Sequence, residues 1–158
     1  MQELSKEILE MKRCMNAADH LTYMTYPLVK DYRLLIQIAK NIYDAMTKGV
    51  NIILEHDSLY KRVDILPENF DSRFQIFQRE CVRRYNIKGE EVSLIIELKD
   101  LLNNHVKSSM VFRRKDEMVI YGENLRIKKL NLPMVKDYLV KAKPFISRVD
   151  NIINNVRG

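Results

Sequence analysis

Apolar residues recur at alternating spacings of three and four along most of this chain, which is the pattern of one face of an α-helix. The first stripe predicts a helix over residues 4–24. A second helix is expected from Pro27, or just after it, and its stripe continues to Ile53. Because a residue that precedes proline is disfavoured in the α-helical conformation, the first helix should end at Tyr26. Residues 55–72 then predict a frayed helix end and a loop.

Three further helices are predicted later in the chain. The third carries three phenylalanines and a cysteine on one side, which is more typical of a core than of a binding platform: Phe70, Phe74, Phe77 and Cys81. The fourth has Glu90 and Glu91 in its first turn, where they oppose the positive end of the helix, and it ends near Lys107. The stripe of the fifth helix is formed by Val135, Tyr138, Ala142, Phe145, Val149, Ile152 and Val156.

Between the fourth and fifth helices, at about residues 109–130, the period changes. The stretch MVFRRKDEMVIYGENLRIKKL is rich in β-branched and aromatic residues, alternates loosely and contains two turn-like clusters, RKDE and YGEN. It predicts two or three short strands, which need support from the helices because two strands alone are marginally stable in water. The predicted fold is therefore mainly α: one domain over residues 1–158, a five-helix bundle with a small antiparallel β-hairpin or meander inserted before the last helix.

Two short stretches are nearly identical: YPLVKDY at residues 26–32 and LPMVKDY at residues 132–138. Proline is favoured in the first turn of a helix, where its missing N–H would have no partner, and a nearby acidic residue is helped by the helix dipole. Both stretches have this pair, Pro27 with Asp31 and Pro133 with Asp137. Because the sequences diverge afterwards, we predict two helix starts rather than a duplication.

The charge of the chain is concentrated in its last third. Residues 1–106 contain 15 Lys and Arg against 16 Asp and Glu, whereas residues 107–158 contain 12 against 5. This asymmetry indicates an anionic partner, namely nucleic acid, an acidic protein surface or a lipid headgroup layer. The alternative is a solvated surface that aids solubility.

The basic residues crowd the predicted β insertion, with Phe112 and Tyr121 nearby: Arg113, Arg114, Lys115, Arg126, Lys128 and Lys129. Strand alternation would pair Arg126 with Lys128 on one face, and Arg113 with Lys115 on a face of their own strand. Basic groups can hold phosphates, while aromatic rings can stack on unpaired bases. We predict that the aromatic residues belong to the core and that the basic residues make the contact.

The predicted function is therefore non-catalytic binding of an anionic macromolecule, most simply RNA or DNA, through the basic hairpin and the start of the last helix. Lys107, Lys136 and Lys141 could extend this surface. One alternative is an adaptor or homodimer, because the strict stripes of the second and fifth helices could pack against a partner helix.

A ribonuclease is a second alternative. Arg13 and His20 lie seven residues apart, with Asn16 between them, so they share a helix face; an arginine can hold a phosphate while a histidine moves a proton. This spacing resembles the Arg-x4-6-His motif of HEPN-type helical ribonucleases, compact bundles that usually pair to form a composite site. The resemblance implies catalytic roles for Arg13 and His20. In that family the residue after the arginine is usually polar, whereas here it is Cys14.

Other signatures of chemistry are missing from the sequence. The histidines show no metal-binding pairing; His56 and His105 continue apolar stripes and are expected at the edge of the core. No glycine-rich phosphate loop or GxSxG motif is present, so neither a metal nor a cofactor is expected. Cys14 and Cys81 are predicted to be buried thiols. With no signal peptide or membrane span in the pattern, a cytoplasmic location is expected.

Much of the chain also resembles a known group of sequences. The stretches ADHLTYMTYPLVKDYRLL and MVFRRKDEMVIYGENLRIKKLNL look like parts of small uncharacterised helical proteins encoded in archaeal genomes. This resemblance implies a compact helical fold and no particular function.

Overall fold

The computed structural model describes residues 2–108, 110–122 and 126–155. Within them the chain forms five helices and a three-stranded antiparallel sheet before the last helix, which confirms the predicted fold class. Helix α1 is Gln2–His20, continued by a π-helical turn, Leu21–Thr25, and a short helix, Tyr26–Val29. Helix α2 is Arg33–Leu59. Helix α3 consists of Phe70–Ile76, a π-helical turn, Phe77–Cys81, and a short segment, Val82–Arg84. Helix α4 is Gly89–Val106, and α5 is Leu132–Asn154.

The strands are β1, Met110–Arg114, β2, Glu117–Tyr121, and β3, Ile127–Asn131, in the spatial order β1-β2-β3. Some predicted features lie outside the described residues: Val156 of the last stripe, residues 123–125, which include the second half of the YGEN cluster, and the first residue of the insertion, Ser109. Across the described part of the chain, no helix combines the length and apolar character that crossing a membrane requires.

The core is built where α1, α2 and α5 meet. The stripes of α2 and α5 are almost completely buried, and a β-carbon at Gly49 of α2 would lie only 2.8 Å from Cε1 of Phe145. The absence of a side chain at Gly49 therefore allows the two helices to approach closely, which offsets its cost of about 1 kcal/mol in a helix. Both stripes therefore pack inside the chain, and the adaptor or homodimer hypothesis stays a prediction.

The third helix contributes its aromatic side to the same core, as predicted. Phe77 and Cys81 are fully buried, while Phe70 and Phe74 are half-buried against the core. The ring of Phe77 lies 6.2 Å, centroid to centroid, from that of Phe145. Phe77 therefore contacts α5, while the ring of Phe70 lies 6.4 Å, centroid to centroid, from that of Tyr43 on α2.

The predicted end of the first helix at Tyr26 is wrong. Tyr26 has φ −59° and ψ −44°, which is helical, and the chain stays helical through Pro27 to Val29. The preceding π-helical turn explains this, because its wider backbone leaves room for a proline ring that would otherwise meet the carbonyl four residues earlier. The break comes at Lys30, whose φ of 54° is left-handed and whose N–H donates to the Tyr26 carbonyl at 2.8 Å.

The two near-identical stretches therefore have different structural roles. Pro133 lies in the first turn of α5, and Asn131 caps that helix by accepting a hydrogen bond from the N–H of Met134 at 2.9 Å. The prediction of a helix start is confirmed there. Pro27 instead belongs to a helical segment that ends two residues later, at Val29, so it does not begin α2. The residues before each proline explain the difference. A capping asparagine precedes Pro133 and starts a new helix, whereas a continuing helix precedes Pro27.

The prediction of a frayed helix end from residue 55 is also wrong. Helix α2 continues to Leu59, and both His56 and Asp57 are buried, with exposures of 1% and 0%. A loop does follow, and Asn69 ends it by accepting a hydrogen bond from the N–H of Ser72 at 2.8 Å. The polar residues at the end of α2 are therefore part of the interior.

Candidate nucleic-acid interface

The three-stranded sheet has one face on the helices and one face away from them. Neighbouring side chains on a strand point to opposite faces, and residues paired across strands share a face. Met118, Ile120 and Leu130 share one face and belong to the hydrophobic core. The opposite set forms what we call the outer face: Met110, Phe112, Arg114, Glu117, Val119, Tyr121, Ile127, Lys129 and Asn131.

Phe112 and Tyr121 lie on this outer face, so the prediction that they belong to the core is wrong. Their rings stack with centroids 5.5 Å apart and planes inclined by 23°. Both residues are half-buried, and neither belongs to the core cluster. Val119, directly opposite Phe112, is 3% exposed. The aromatic pair is thus fixed to the sheet while it remains accessible.

The six predicted contact residues do not form a single patch. Arg114 and Lys129 are exposed and flank the aromatic pair on the outer face. Lys128 belongs to the core-side face, where its Nζ lies 2.9 Å from Oδ2 of Asp100 on α4. Arg126 is exposed just before β3, at the other end of the sheet. The structure therefore separates residues that are neighbours in sequence.

The remaining two contact residues lie at the turn between β1 and β2. Arg113 is on the core-side face of β1, and its Nε donates to the carbonyl of Lys115 at 2.8 Å. Lys115 is not part of the strand, because β1 ends at Arg114 and Lys115 has a left-handed φ of 56°. The prediction that Arg113 and Lys115 share a strand face is therefore wrong.

A cavity of about 930 Å³ opens beside this turn, and we call it the motif cavity because the two near-identical stretches form two of its sides. The segment 26–32 contributes Tyr26 and Lys30, and the start of α5 contributes Pro133 and Lys136. The β1–β2 turn supplies the third side, with Arg113, Lys115, Asp116 and Glu117. The sequence repeat thus marks two segments that meet in space.

The three lysines predicted to extend the surface have different surroundings. Lys136 lines the motif cavity, and its Nζ lies 5.5 Å from the centroid of the Tyr23 ring. Lys141 pairs with Asp137 one turn earlier on α5, at 2.9 Å. Lys107 is exposed at the end of α4. Of these, Lys136 is the one that the fold brings to the cavity.

A buried polar cluster around Asp57 was missed by the sequence reasoning. Its carboxylate accepts hydrogen bonds from Nη1 of Arg84 and the hydroxyl of Tyr85. The thiol of Cys81 donates to it at 3.4 Å, and Nη1 of Arg62 lies 3.8 Å away. The signal in the sequence was an aspartate on the stripe of α2, four residues after Ile53.

The cluster changes the acidity of its members. Burial first, and then the charge of Asp57, raise the pKa of Cys81 to about 12, so this thiol is protonated and a poor nucleophile. Burial, followed by the hydrogen bond to Asp57, raises the pKa of Tyr85 to about 12. Asp57 thus joins the end of α2 to the end of α3, and its surroundings suit a structural tie rather than catalysis.

The histidines lie in three separate places. His56 is buried, with Nδ1 3.2 Å from Asp57, but its Nε2 has no hydrogen-bond partner among the described residues. His105 is half-buried near the end of α4, and His20 is exposed at the end of α1. Arg13 is also exposed on α1. The ribonuclease roles of Arg13 and His20 stay a prediction.

Comparisons of the chain with protein-family models, with curated proteins and with solved structures find no match. The resemblances to archaeal helical proteins and to HEPN-type ribonucleases therefore also stay predictions.

Proposed function

We propose that this protein is a non-catalytic binding protein for single-stranded nucleic acid, RNA or DNA, and that the strand lies across the outer face of the sheet. The observation that carries the proposal is the stacked pair of Phe112 and Tyr121, held outside the core between Arg114 and Lys129.

The aromatic pair supplies the stacking surface. Every base has a π-face, so stacking on an aromatic ring binds unpaired bases with little sequence preference and contributes about 1–3 kcal/mol per base. In a duplex the bases already stack on one another and their faces are hidden. An accessible aromatic pair on a sheet therefore favours a single strand over a duplex.

The flanking basic residues supply phosphate contacts. Across the described part of the chain, neither Arg114 nor Lys129 forms an ion pair with a carboxylate. Their charges are therefore free to replace the counterions of a phosphate backbone. An acidic protein surface would satisfy these charges equally well but would not require the aromatic rings.

The test compares two matched aromatic substitutions in binding to a short unstructured RNA or DNA strand, followed by fluorescence anisotropy. Phe112→Leu keeps an apolar side chain over Val119 but removes the ring, and we expect about tenfold weaker binding. Phe70→Leu is the control, because Phe70 stacks on Phe74 with centroids 5.6 Å apart and planes inclined by 23°, but on α3.

Equal affinity of the two variants for the strand would contradict the proposal. So would binding that is unchanged between low and moderate salt, because release of counterions makes phosphate contacts strongly salt-dependent. A duplex of the same sequence should bind more weakly than the single strand. If the partner were an acidic protein surface instead, the parent protein would not bind the strand, and neither would Phe112→Leu.

A further inference from the structure

The motif cavity carries positive charge that the protein does not neutralise. Four basic residues line it against two acidic ones: Lys30, Arg113, Lys115 and Lys136 against Asp116 and Glu117. None of the four basic side chains forms an ion pair with a carboxylate among the residues that the structure describes. The lining therefore has a formal net charge of +2.

We propose that the motif cavity binds a nucleoside phosphate monoester, and that the end of the nucleic-acid strand on the sheet supplies it. The inference rests on the proposed function for the source of the ligand, although the cavity itself can be tested separately. A terminal phosphate carries about −1.5 to −2 charges near neutral pH, whereas each internal phosphodiester carries about −1. A lining with a net charge of +2 thus matches a terminal phosphate better than an internal one.

Side chains, rather than the helix start, have to make the phosphate contacts. Helix α5 begins at the cavity, but Pro133 has no N–H, and the N–H of Met134 is already bound by Asn131. The helix therefore offers few free donors to an anion. Lys30 and Lys136 come from the two near-identical stretches and face the cavity from two sides, so they are the first candidates for the contact.

The rest of the lining suits a nucleoside. Tyr26, Tyr32 and Pro27 on one side and Leu132 and Pro133 on the other give the cavity apolar and aromatic walls. The volume, about 930 Å³, lies within the range of small-molecule sites, about 300–1,000 Å³, and exceeds what a phosphate alone would need. A base can therefore pack against these walls while the phosphate meets the lysines.

Tyr26 provides a fixed hydrogen-bond donor in this wall. Its side chain is largely buried, and burial, followed by the nearby charge of Asp116, raises the pKa of its hydroxyl. The hydroxyl is therefore protonated at neutral pH and can donate to a phosphate or sugar oxygen.

The cavity is continuous with the proposed strand site. Glu117 and Asn131 are paired residues of the outer face and also line the cavity. Arg114 of the outer face directly follows Arg113 of the cavity. A strand stacked on Phe112 can therefore place its next nucleotide in the cavity. At this edge of the sheet, the segment 26–32 and the start of α5 line the cavity.

The experiment compares one short RNA strand and the DNA strand of the same sequence in three forms: with a 5′-phosphate, with a 3′-phosphate and with neither. We expect a phosphate at one end to raise the affinity about tenfold, the size of one charge-assisted contact. The double variant Lys30→Gln with Lys136→Gln should remove this preference and leave the strand without a phosphate unaffected. Equal affinity for all three forms would overturn the inference.

The control double variant is Lys6→Gln with Lys61→Gln, which removes the same charge. Both lysines are exposed, and Lys61 has a left-handed φ of 57°, as Lys30 does. This variant should keep the preference for a terminal phosphate. Phe112→Leu should weaken all three strands alike and keep their ratio, which separates the cavity from the sheet. Loss of the preference in the control double variant would also overturn the inference.

Titration with adenosine monophosphate, followed by calorimetry, distinguishes the two sources of the ligand and the two proposals. If no strand binds but the mononucleotide does, and Lys30→Gln with Lys136→Gln abolishes it, the proposed function fails and the cavity is a site for a free nucleotide. If strands bind without a terminal preference and the mononucleotide does not bind, the inference fails and the proposed function stands. Inorganic phosphate should compete only weakly, because it can meet the lysines but lacks the base.

Discussion

Basic side chains gather in two regions of this protein, and their surroundings are opposite. Around Asp57, the guanidinium groups of Arg84 and Arg62 face a carboxylate that is fully buried. At the motif cavity, Lys30 and Lys136 form no ion pair with a carboxylate among the described residues, although Asp116 and Glu117 line the same cavity. The first region uses its cations to hold two helices together, and the second leaves them free. A basic cluster therefore indicates a ligand only where the chain does not neutralise it.

Packing density also differs between the helical bundle and the motif cavity. At Gly49, in the bundle, one added carbon atom would lie 2.8 Å from Phe145 and 3.2 Å from Val149. The motif cavity leaves about 930 Å³ beside the sheet. Interiors are packed at the density of organic crystals, whereas the motif cavity is open space at the surface, which the proposed ligand would fill.

The largest expected effect is on the buried side of the comparison. Asp57→Asn removes the negative charge of the carboxylate that accepts hydrogen bonds from Arg84 and Tyr85. It also replaces one acceptor oxygen by an NH₂ group, which then faces other hydrogen-bond donors. We expect the free energy of unfolding to fall by about 2 kcal/mol, because hydrogen bonds to a charged carboxylate are lost while Arg84, whose side chain is 33% exposed, stays partly solvated. Urea denaturation measures this change. Binding of the strand by the folded variant should not change.

Asp64→Asn is the matched control, because Asp64 is exposed in the loop that follows α2. It should change the free energy of unfolding by less than about 0.5 kcal/mol. A loss below about 1 kcal/mol for Asp57→Asn would mean that the cluster is not the tie between α2 and α3 that its contacts indicate.

A second prediction concerns the packing difference. Gly49→Ala gains about 1 kcal/mol of helix propensity, but its methyl group must displace the buried ring of Phe145, which costs about 1–3 kcal/mol. We expect a net loss of about 1 kcal/mol in the free energy of unfolding. Thermal and urea denaturation both measure this change.

Gly89→Ala is the control for Gly49→Ala. A β-carbon at Gly89 meets no atom within 4 Å, so this substitution should be neutral or slightly stabilising. If Gly49→Ala stabilised the protein as much as Gly89→Ala, α2 and α5 would not be in close contact at Gly49.

The helices could be predicted from the sequence because burial acts through a local period. The stripe of α5, from Val135 to Val149, is buried as its spacing of three and four predicts. The helical course through Pro27 could not be predicted, because the π-helical turn that accommodates the proline has no clear signature in residues 21–25. Helix propensity and proline rules describe an α-helix and do not include this wider turn.

The two faces of the sheet could be recognised only in part. Strand β2 reads EMVIY, so Met118, Val119 and Ile120 are all apolar, and alternation does not tell which face meets the core. The structure places Val119 outward with Phe112, opposite to our prediction for the aromatic residue.

The motif cavity could not be predicted from the charge distribution. That distribution directed attention to residues 107–158, yet Lys30 comes from the nearly neutral first two thirds of the chain. Conversely, Lys128 belongs to the basic third but is paired with Asp100. Both outcomes depend on contacts between segments far apart in sequence, and local patterns carry no information about such contacts.

A third prediction concerns two neighbouring acids, Glu7 on α1 and Glu55 on α2, of which Glu55 also lies 3.9 Å from Nη1 of Arg73. Burial first, and then the neighbouring carboxylate of Glu55, raise the pKa of Glu7 from its usual 4.5 to about 7. The folded state therefore binds a proton more tightly than the unfolded state does, so stability falls as the pH rises from about 4.5 to about 7. Glu7→Gln should add about 1 kcal/mol at pH values above this window and nothing below it.

Urea denaturation at several pH values measures this effect, with Glu68→Gln as the control. Glu68 is exposed in the loop before α3, and its substitution should leave the pH dependence unchanged. If the stability of Glu7→Gln followed that of the parent at every pH, the carboxyl groups of Glu7 and Glu55 would not share a proton.

The smallest expected effect compares two adjacent lysines of β3. Lys129 belongs to the outer face, whereas Lys128 belongs to the core-side face and is paired with Asp100. Lys129→Ala should lower the slope of log affinity against log salt by about 0.7, the loss of one phosphate contact on a single strand. Lys128→Ala should leave the slope unchanged, and it should change stability by less than about 1 kcal/mol because the ion pair is exposed. If both substitutions lowered the slope equally, neutralisation by the chain's own carboxylates would not decide which cations bind a ligand, and total basic charge would be the better guide.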